Sequence, residues 1–193
     1  MKKILLLSLL ASWSCTRPAI KDTSADFAEP LKASPPYFQS DSVHLFKATF
    51  DVYGKQLTGL LVAKHMADNS FRFVMAPSSG PTIFDAEFKN GHFRMVSALK
   101  QVNKKIIINL LDKDLRLLFF APEDDDKACL SYLGHEYCRY KVNGRVDRAT
   151  FGPVQQPLVG ITYTYDSTYF PSRTLLHHTT FQLDLILQPV KTE

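Results

Sequence analysis

The chain has 193 residues, 45% hydrophobic and 22% charged, with 14 Phe and 8 Tyr. That suits one folded domain with a sizeable core and excludes a disordered chain. The formal net charge of +4 includes Lys2 and Lys3 at the start, and the other Lys and Arg are scattered among acids, so no basic stripe argues for nucleic acid.

Residues 1–14 read as a signal peptide. Lys2 and Lys3 form a positive start, Ile4 to Ala11 a short apolar run, and small residues precede the cut. The run is too short for a membrane span, which needs roughly 20 residues. Ser12-Trp13-Ser14-Cys15 resembles the lipobox of bacterial lipoproteins, with Trp13 and Ser12 standing where a small residue and Leu are usual. The resemblance implies that the Cys15 thiol is diacylglyceryl-modified and becomes the new N-terminus. The bland alternative is a plain signal peptide with an incidental cysteine. Thr16 is not the Asp that marks inner-membrane retention, and no acidic run follows before Ser24. The resemblance therefore implies an outer-membrane anchor on the periplasmic face.

Residues 15–41 then form the lipidated cysteine and a proline-containing, flexible tether. Residues 42–190 form the folded domain. In HLFKATFDVY, Phe46, Ala48, Phe50 and Val52 alternate with Lys47, Thr49 and Asp51, the pattern of a half-buried strand. Gly54-Lys55 makes a turn into QLTGLLVAKH, and Asp68-Asn69 makes the next. SFRFVMA places Phe71, Phe73 and Met75 on one face, and TIFDAEF does the same with Phe84, Ala86 and Phe88. Asn90-Gly91 is a strong hairpin signal before HFRMVSA.

The period then changes. Leu99, Val102, Ile106 and Leu110 recur at helical spacing, and Leu111, Leu115 and Leu118 continue the stripe. This predicts one helix over about 100–112 and a second, short one to about 119. The acidic APEDDDK segment is a solvated loop. Further strands follow in ACLSYL, YCRYKV, GRVDRATF, LVGITYTY and TTFQLDLILQ, the last with Phe181, Leu183, Leu185 and Leu187 on one face. The expected fold is α+β: a strongly curved antiparallel sheet, an incomplete β-barrel, with a helical lid over its apolar concave face.

The order of meander, helices and second strand set resembles the LolA/LolB-like lipoprotein carriers. FRFVMAPSSGPTIFDAEF looks like the LolB hairpin, and ITYTY, FPSR and FQLDLIL look like its closing strands. FKATFDVYGKQLTGLLVAK and VNKKIIINLLDKDLRLLF look closer to uncharacterised LolB-like lipoproteins of Bacteroidetes. The resemblance spans residues 44–188 and implies a hydrophobic cavity for lipid or lipoprotein acyl chains. The hairpin tip Ala76-Pro77-Ser78-Ser79-Gly80-Pro81 departs from the family pattern: it lacks the exposed leucine that LolB displays there for passing cargo into the membrane.

The implied lipid-binding surface is Phe46, Phe50, Leu61, Phe71, Phe73, Met75, Phe84, Phe88, Phe93, Ile161, Tyr163, Phe181, Leu183 and Leu185, with Ile106, Leu110 and Leu111 from the lid. Acyl chains need a dry apolar pocket with few polar contacts. The same residues also suit an ordinary packed core. A structural or interaction lipoprotein with a filled core, docking to an envelope partner, is the alternative function.

Cys129 and Cys138 face each other if the turn centres on Leu133-Gly134, and a disulfide is then allowed; a one-residue slip would part them. His177 and His178 are neighbours in a strand, point to opposite faces, and do not readily share a metal. Glu123 to Asp126 lack the ligand spacing of a calcium loop. No hydrolase elbow, zinc-protease motif or phosphate loop is present. The expectation is a monomeric, non-enzymatic binder with no cofactor, no metal and no nucleic-acid partner.

Overall fold

The structure is a computed structural model that describes residues 43–52, 54–122, 128–166 and 170–190. Cys15, the tether and the acidic loop at 123–127 lie outside the described residues. The strands are β1 (Val43–Val52), β2 (Lys55–His65), β3 (Phe71–Ala76), β4 (Phe84–Lys89) and β5 (His92–Ala98), then β6 (Cys129–Tyr132), β7 (His135–Val142), β8 (Arg145–Phe151), β9 (Val159–Tyr165), β10 (Pro171–His178) and β11 (Leu183–Pro189). Between β5 and β6 runs one helix, α1 (Lys105–Phe119).

All 11 strands form one antiparallel sheet in the order β5-β4-β3-β2-β1-β11-β10-β9-β8-β7-β6. Every neighbour but one is a chain neighbour. The exception joins β1 to β11, with Phe46 opposite Pro189 and Phe50 opposite Leu185. Edges β5 and β6 remain unpaired with each other, so the barrel is incomplete. Flat, such a sheet would be about 50 Å wide, while one helix of this length is about 22 Å long and ~10 Å thick. The helix alone cannot cover the apolar face. The sheet curls, and its inner residues bury one another around the helix.

Local chemistry sets the turns. Asn90-Gly91, Leu133-Gly134 and Asn143-Gly144 all hold positive φ at both positions. These are two-residue loops whose twist matches the strands they join. The alternation read from sequence holds through β1, β3 and β4: Phe46, Ala48, Phe71, Phe73, Met75, Phe84, Ala86 and Phe88 are all buried.

Three expectations are corrected. First, two helices are one. Residues 99–104 form turns, with the Val102 and Asn103 amides both donating to Leu99 O, and Lys104 is extended at φ −119°. The helix then runs through Asp112-Lys113-Asp114 without a break, because both acids find partners within the fold. Second, β11 starts at Leu183, not before; Phe181 lies in the turn after β10 and is 45% exposed. Its place in the alternation is a continuation past the strand end. Third, a full strand, β10, stands between LVGITYTY and TTFQLDLILQ, where the sequence marks a strand only by FPSR and His177-His178. Its opening Pro171-Ser172-Arg173 hides the inward row of Thr174, Leu176 and His178.

Candidate functional site

The concave face divides at the helix. On the β1–β5 side it is a bowl of rings. Phe119 lies 5.0 Å from Phe73 and 5.8 Å from Phe46, centroid to centroid. Phe120 lies 4.8 Å from Phe71 and 5.1 Å from Phe88. These tilted and edge-on contacts are the favoured geometries of aromatic pairs. The C-terminal end of the helix therefore fills this half of the bowl. The β9–β11 side is mostly aliphatic, lined by Ile161, Leu176, Leu185 and Leu187.

Two buried polar clips fix the helix. Asp114 Oδ1 meets His178 Nε2 of β10 at 2.9 Å, both side chains nearly sealed from solvent. Burial pushes the Asp114 carboxyl above its ordinary value, against the opposing pull of His178. Two residues on, Arg116 Nη2 donates to Gly91 O in the β4–β5 turn at 2.7 Å, and its Nε donates to Asp112 at 2.6 Å. The Arg116 guanidinium also stands 5.0 Å from the Phe88 ring centroid. Burial pushes Asp112 upward as well, with Arg116 opposing. Sequence reasoning missed these charges, which look like ordinary solvent-facing helix residues.

The N-terminal half of α1 is held differently. Lys104 supplies no side-chain cap, no acid occupies the first turn, and Lys104 and Lys105 place positive charge at the positive end of the helix dipole. Ile106 is 69% exposed, while Ile107, Ile108 and Leu110 are half-buried. Burial is nearly continuous only from Leu111 onward, with Lys113 exposed and Asp112 half-buried.

Of the residues assigned to a lipid-binding surface, Phe46, Leu61, Phe71, Phe73, Met75, Phe84, Phe88, Phe93, Leu111, Ile161, Tyr163, Leu183 and Leu185 are buried. Phe50 and Leu110 are half-buried. Ile106 and Phe181 are exposed, with the Phe181 ring 6.3 Å from that of the buried His178. Cys129 and Cys138 stand opposite each other across β6 and β7, either side of the Leu133-Gly134 turn, with their sulfurs bonded. His177 pairs with Asp184 on the outer face, and His178 points inward. Among the described residues no group of three His, Cys, Asp or Glu is arranged to hold a metal.

A cleft of about 530 Å³ opens at the other end of the sheet, between β8 and β9. Its cause is local. Tyr140 pairs with Arg148 and Lys141 with Val146, so Asp147 is an extra residue on β8, a bulge. A bulge adds twist and ends pairing. The β8–β9 ladder accordingly covers only Arg148–Phe151 against Thr162–Val159, and the strands part beyond it. The Tyr165 hydroxyl spans the opening to Val146 O at 2.9 Å. Arg145, Asp147, Thr162, Tyr163, Thr164 and Tyr165 line the cleft. Tyr163 is also part of the core, and Tyr165 packs against it.

No family model matches the chain, and no curated protein matches it. Solved structures similar to it include a LolA superfamily protein from Nitrosomonas europaea, with TM-score 0.45, 12% identity, and 80% of this chain and 86% of that one covered. A DUF1329 family protein from Desulfovibrio piger gives TM-score 0.41 at 9% identity, covering 79% of this chain and 85% of that one. MucB gives TM-score 0.39 at 15% identity over 78% of this chain, which spans 52% of MucB. At these values the likenesses carry no argument about what this chain binds.

Proposed function

We propose that the chain is a membrane-anchored, non-enzymatic binder of lipid or lipoprotein acyl chains. In this reading Cys15 carries the lipid anchor, on the periplasmic face of an outer membrane, and the domain acts in lipoprotein localisation or envelope assembly. This is the role that the sequence resemblance to LolA/LolB-like carriers implies. The observation that carries it is the unequal seating of α1: clipped and buried along its C-terminal half, uncapped and exposed at its N-terminal end. A helix so held is a lid hinged at one end. Lifting the N-terminal half would open the interior at that end of the helix without breaking the ring cluster. Capture would then be by partitioning, with ~0.8 kcal/mol gained per buried methylene.

The second reading is a structural lipoprotein with a filled core. The Phe119 and Phe120 rings favour it, since they occupy the bowl of β1–β5. One experiment separates the two. The full chain carrying Cys15→Ala is purified without detergent, examined by mass spectrometry for retained lipid, and titrated with a fluorescent fatty acid. Co-purifying lipid that the probe displaces supports the carrier. A ligand-free protein that ignores the probe at saturating concentration supports the scaffold.

A further inference from the structure

An antiparallel sheet buried on one face ordinarily presents polar side chains on the other. The outer face of β1 and β2 does so at one end only. There the Thr49 and Thr58 hydroxyls meet at 3.1 Å, and Gln56 donates to Asp51 at 3.1 Å. Toward the start of β1 the same face turns apolar. The register sets Leu45, Val62 and Val74 side by side across β1, β2 and β3. Val190 extends this row on the far side of Leu45, its amide donating to Leu45 O at 2.8 Å. Leu60 and Ala76 are paired in one adjoining row, and Val43 stands in the other. Val43 is 50% exposed, Val190 42% and Leu60 40%, while Leu45, Val62, Val74 and Ala76 are half-buried. Single apolar residues are ordinary on a surface, but contiguous rows mark a binding face. Two exposed lysines flank the rows, Lys47 opposite Leu60 and Lys64 opposite Val43. The acids of neighbouring β4 are engaged elsewhere, Asp85 by Arg72 and Glu87 by Arg94.

We propose that this outer face of β1–β3 docks on an anionic lipid surface. The proposal rests on the reading of Cys15 as a lipid anchor and adds the surface that the anchored domain presents to the bilayer. Cys15 precedes Val43 by 28 positions, and the chain enters the sheet at Val43, inside the patch. A tether of that length, as expected from sequence, separates its ends by about 30 Å. The apolar rows are therefore the part of the outer face joined most directly to the anchor. Against a bilayer they settle at the boundary of headgroups and acyl chains. The stems of Lys47 and Lys64 lie along them, and the ammonium groups meet lipid phosphates. The area argues for the same occupant. Three strands and Val190, taken over three alternate positions, cover about 250 Å². A stable pair of proteins buries roughly 800 Å² on each partner, so this patch is too small to hold a second copy unaided. A bilayer already held nearby needs only a weak contact, because the anchor makes the encounter intramolecular.

The test places a tryptophan reporter in the patch of the full chain, Leu60→Trp, and a control reporter, Thr162→Trp, at an exposed outer position of β9, three strands from β1. Trp13 is common to both chains and cancels in the comparison. Vesicles of phosphatidylethanolamine and phosphatidylglycerol, doped with lipid brominated on its acyl chains, quench Leu60→Trp at least about twofold more than Thr162→Trp. Adding Lys47→Glu and Lys64→Glu lowers that excess by about half or more, and so does replacing phosphatidylglycerol with phosphatidylcholine. Equal quenching at the two reporters, or an excess indifferent to both changes, overturns the docking face. Leu60→Trp emission already shifted to the blue without vesicles also overturns it. The occupant is then a second copy if dilution reverses the shift, and residues of the same chain if it does not. Unchanged thermal melts show that the fold is intact; where Leu60→Trp melts early, Val43→Trp takes its place as reporter. Cys15→Ala separates the docking face from the anchor. An excess that returns only with about tenfold more vesicle upholds both. An excess that Cys15→Ala leaves unchanged upholds the docking face and removes the anchor. A chain held on vesicles through Cys15 with no excess at Leu60→Trp overturns the docking face alone.

Discussion

Asp114 on the lid helix and His178 on β10 are joined by a buried 2.9 Å hydrogen bond across 64 residues of sequence. It ties the helix to the half of the sheet that the aromatic cluster does not reach. His178→Ala leaves a buried carboxyl without this partner, at a cost of about 3 kcal/mol. Asp114→Leu paired with His178→Phe removes both polar groups. The double variant is expected to lose less than the two single changes together, which urea melts of the full cycle measure directly.

The same pair sets a pH dependence. Burial raises the folded Asp114 carboxyl above its ordinary 3.8. The folded state thus holds this proton more tightly than the unfolded chain does. Stability from this group is fully present below the unfolded value and is lost as pH rises through the folded one. Asp114→Asn deletes that loss. The variant therefore gains on wild type as pH rises through this window, in denaturant melts run from about pH 3 to about pH 8. A constant offset between the two proteins at every pH would contradict it.

Phe119 is fully buried between Phe46 and Phe73. Phe119→Ala costs about 3–5 kcal/mol, the usual loss for a buried ring. It also frees apolar volume in the bowl. If the helix occupies space that a ligand also uses, the variant binds a fatty-acid probe more tightly than wild type while melting earlier. In a sealed core only the melting changes.

Much of this architecture is written in local pattern. Period-two alternation marks Phe71, Phe73 and Met75, and Asn90-Gly91 marks its hairpin. The helix limits are less visible. Leu99 and Val102 continue the apolar stripe, yet they pack in turns beside the core. Asp112 and Asp114 look like a break, but Arg116 and His178 satisfy them from positions that only the fold brings near. Phe181 keeps the rhythm of β11 beyond its end, because periodicity does not record where a chain reverses. The cleft was invisible, since the Asp147 bulge is a property of register between strands and not of any one segment.

Gly152, just after β8, has φ of +120°, and a Cβ there would lie 2.6 Å from the Leu158 amide nitrogen. Gly152→Ala combines a backbone conformation closed to alanine with a collision against main chain. A loss of about 2–3 kcal/mol is expected, read as an earlier thermal transition. A neutral result would mean that the β8–β9 connection relaxes freely.

Cys15→Ala tests the anchor. The variant is expected in the soluble fraction, without the acyl mass that lipidation adds to the wild-type N-terminus. Retention with membranes to the wild-type extent would show that Cys15 is not what holds the protein there.

The pairing of β1 with β11, Phe46 opposite Pro189, has a consequence for how the molecule comes into being. The central seam of the sheet joins the earliest strand to the latest. Until the last strand emerges from the ribosome, the first has an unpaired edge, and neither flanking meander has its neighbour. Such distant contacts are slow to form. A sheet wired in this way cannot close its central seam until nearly the whole chain is available, so the two meanders wait for each other.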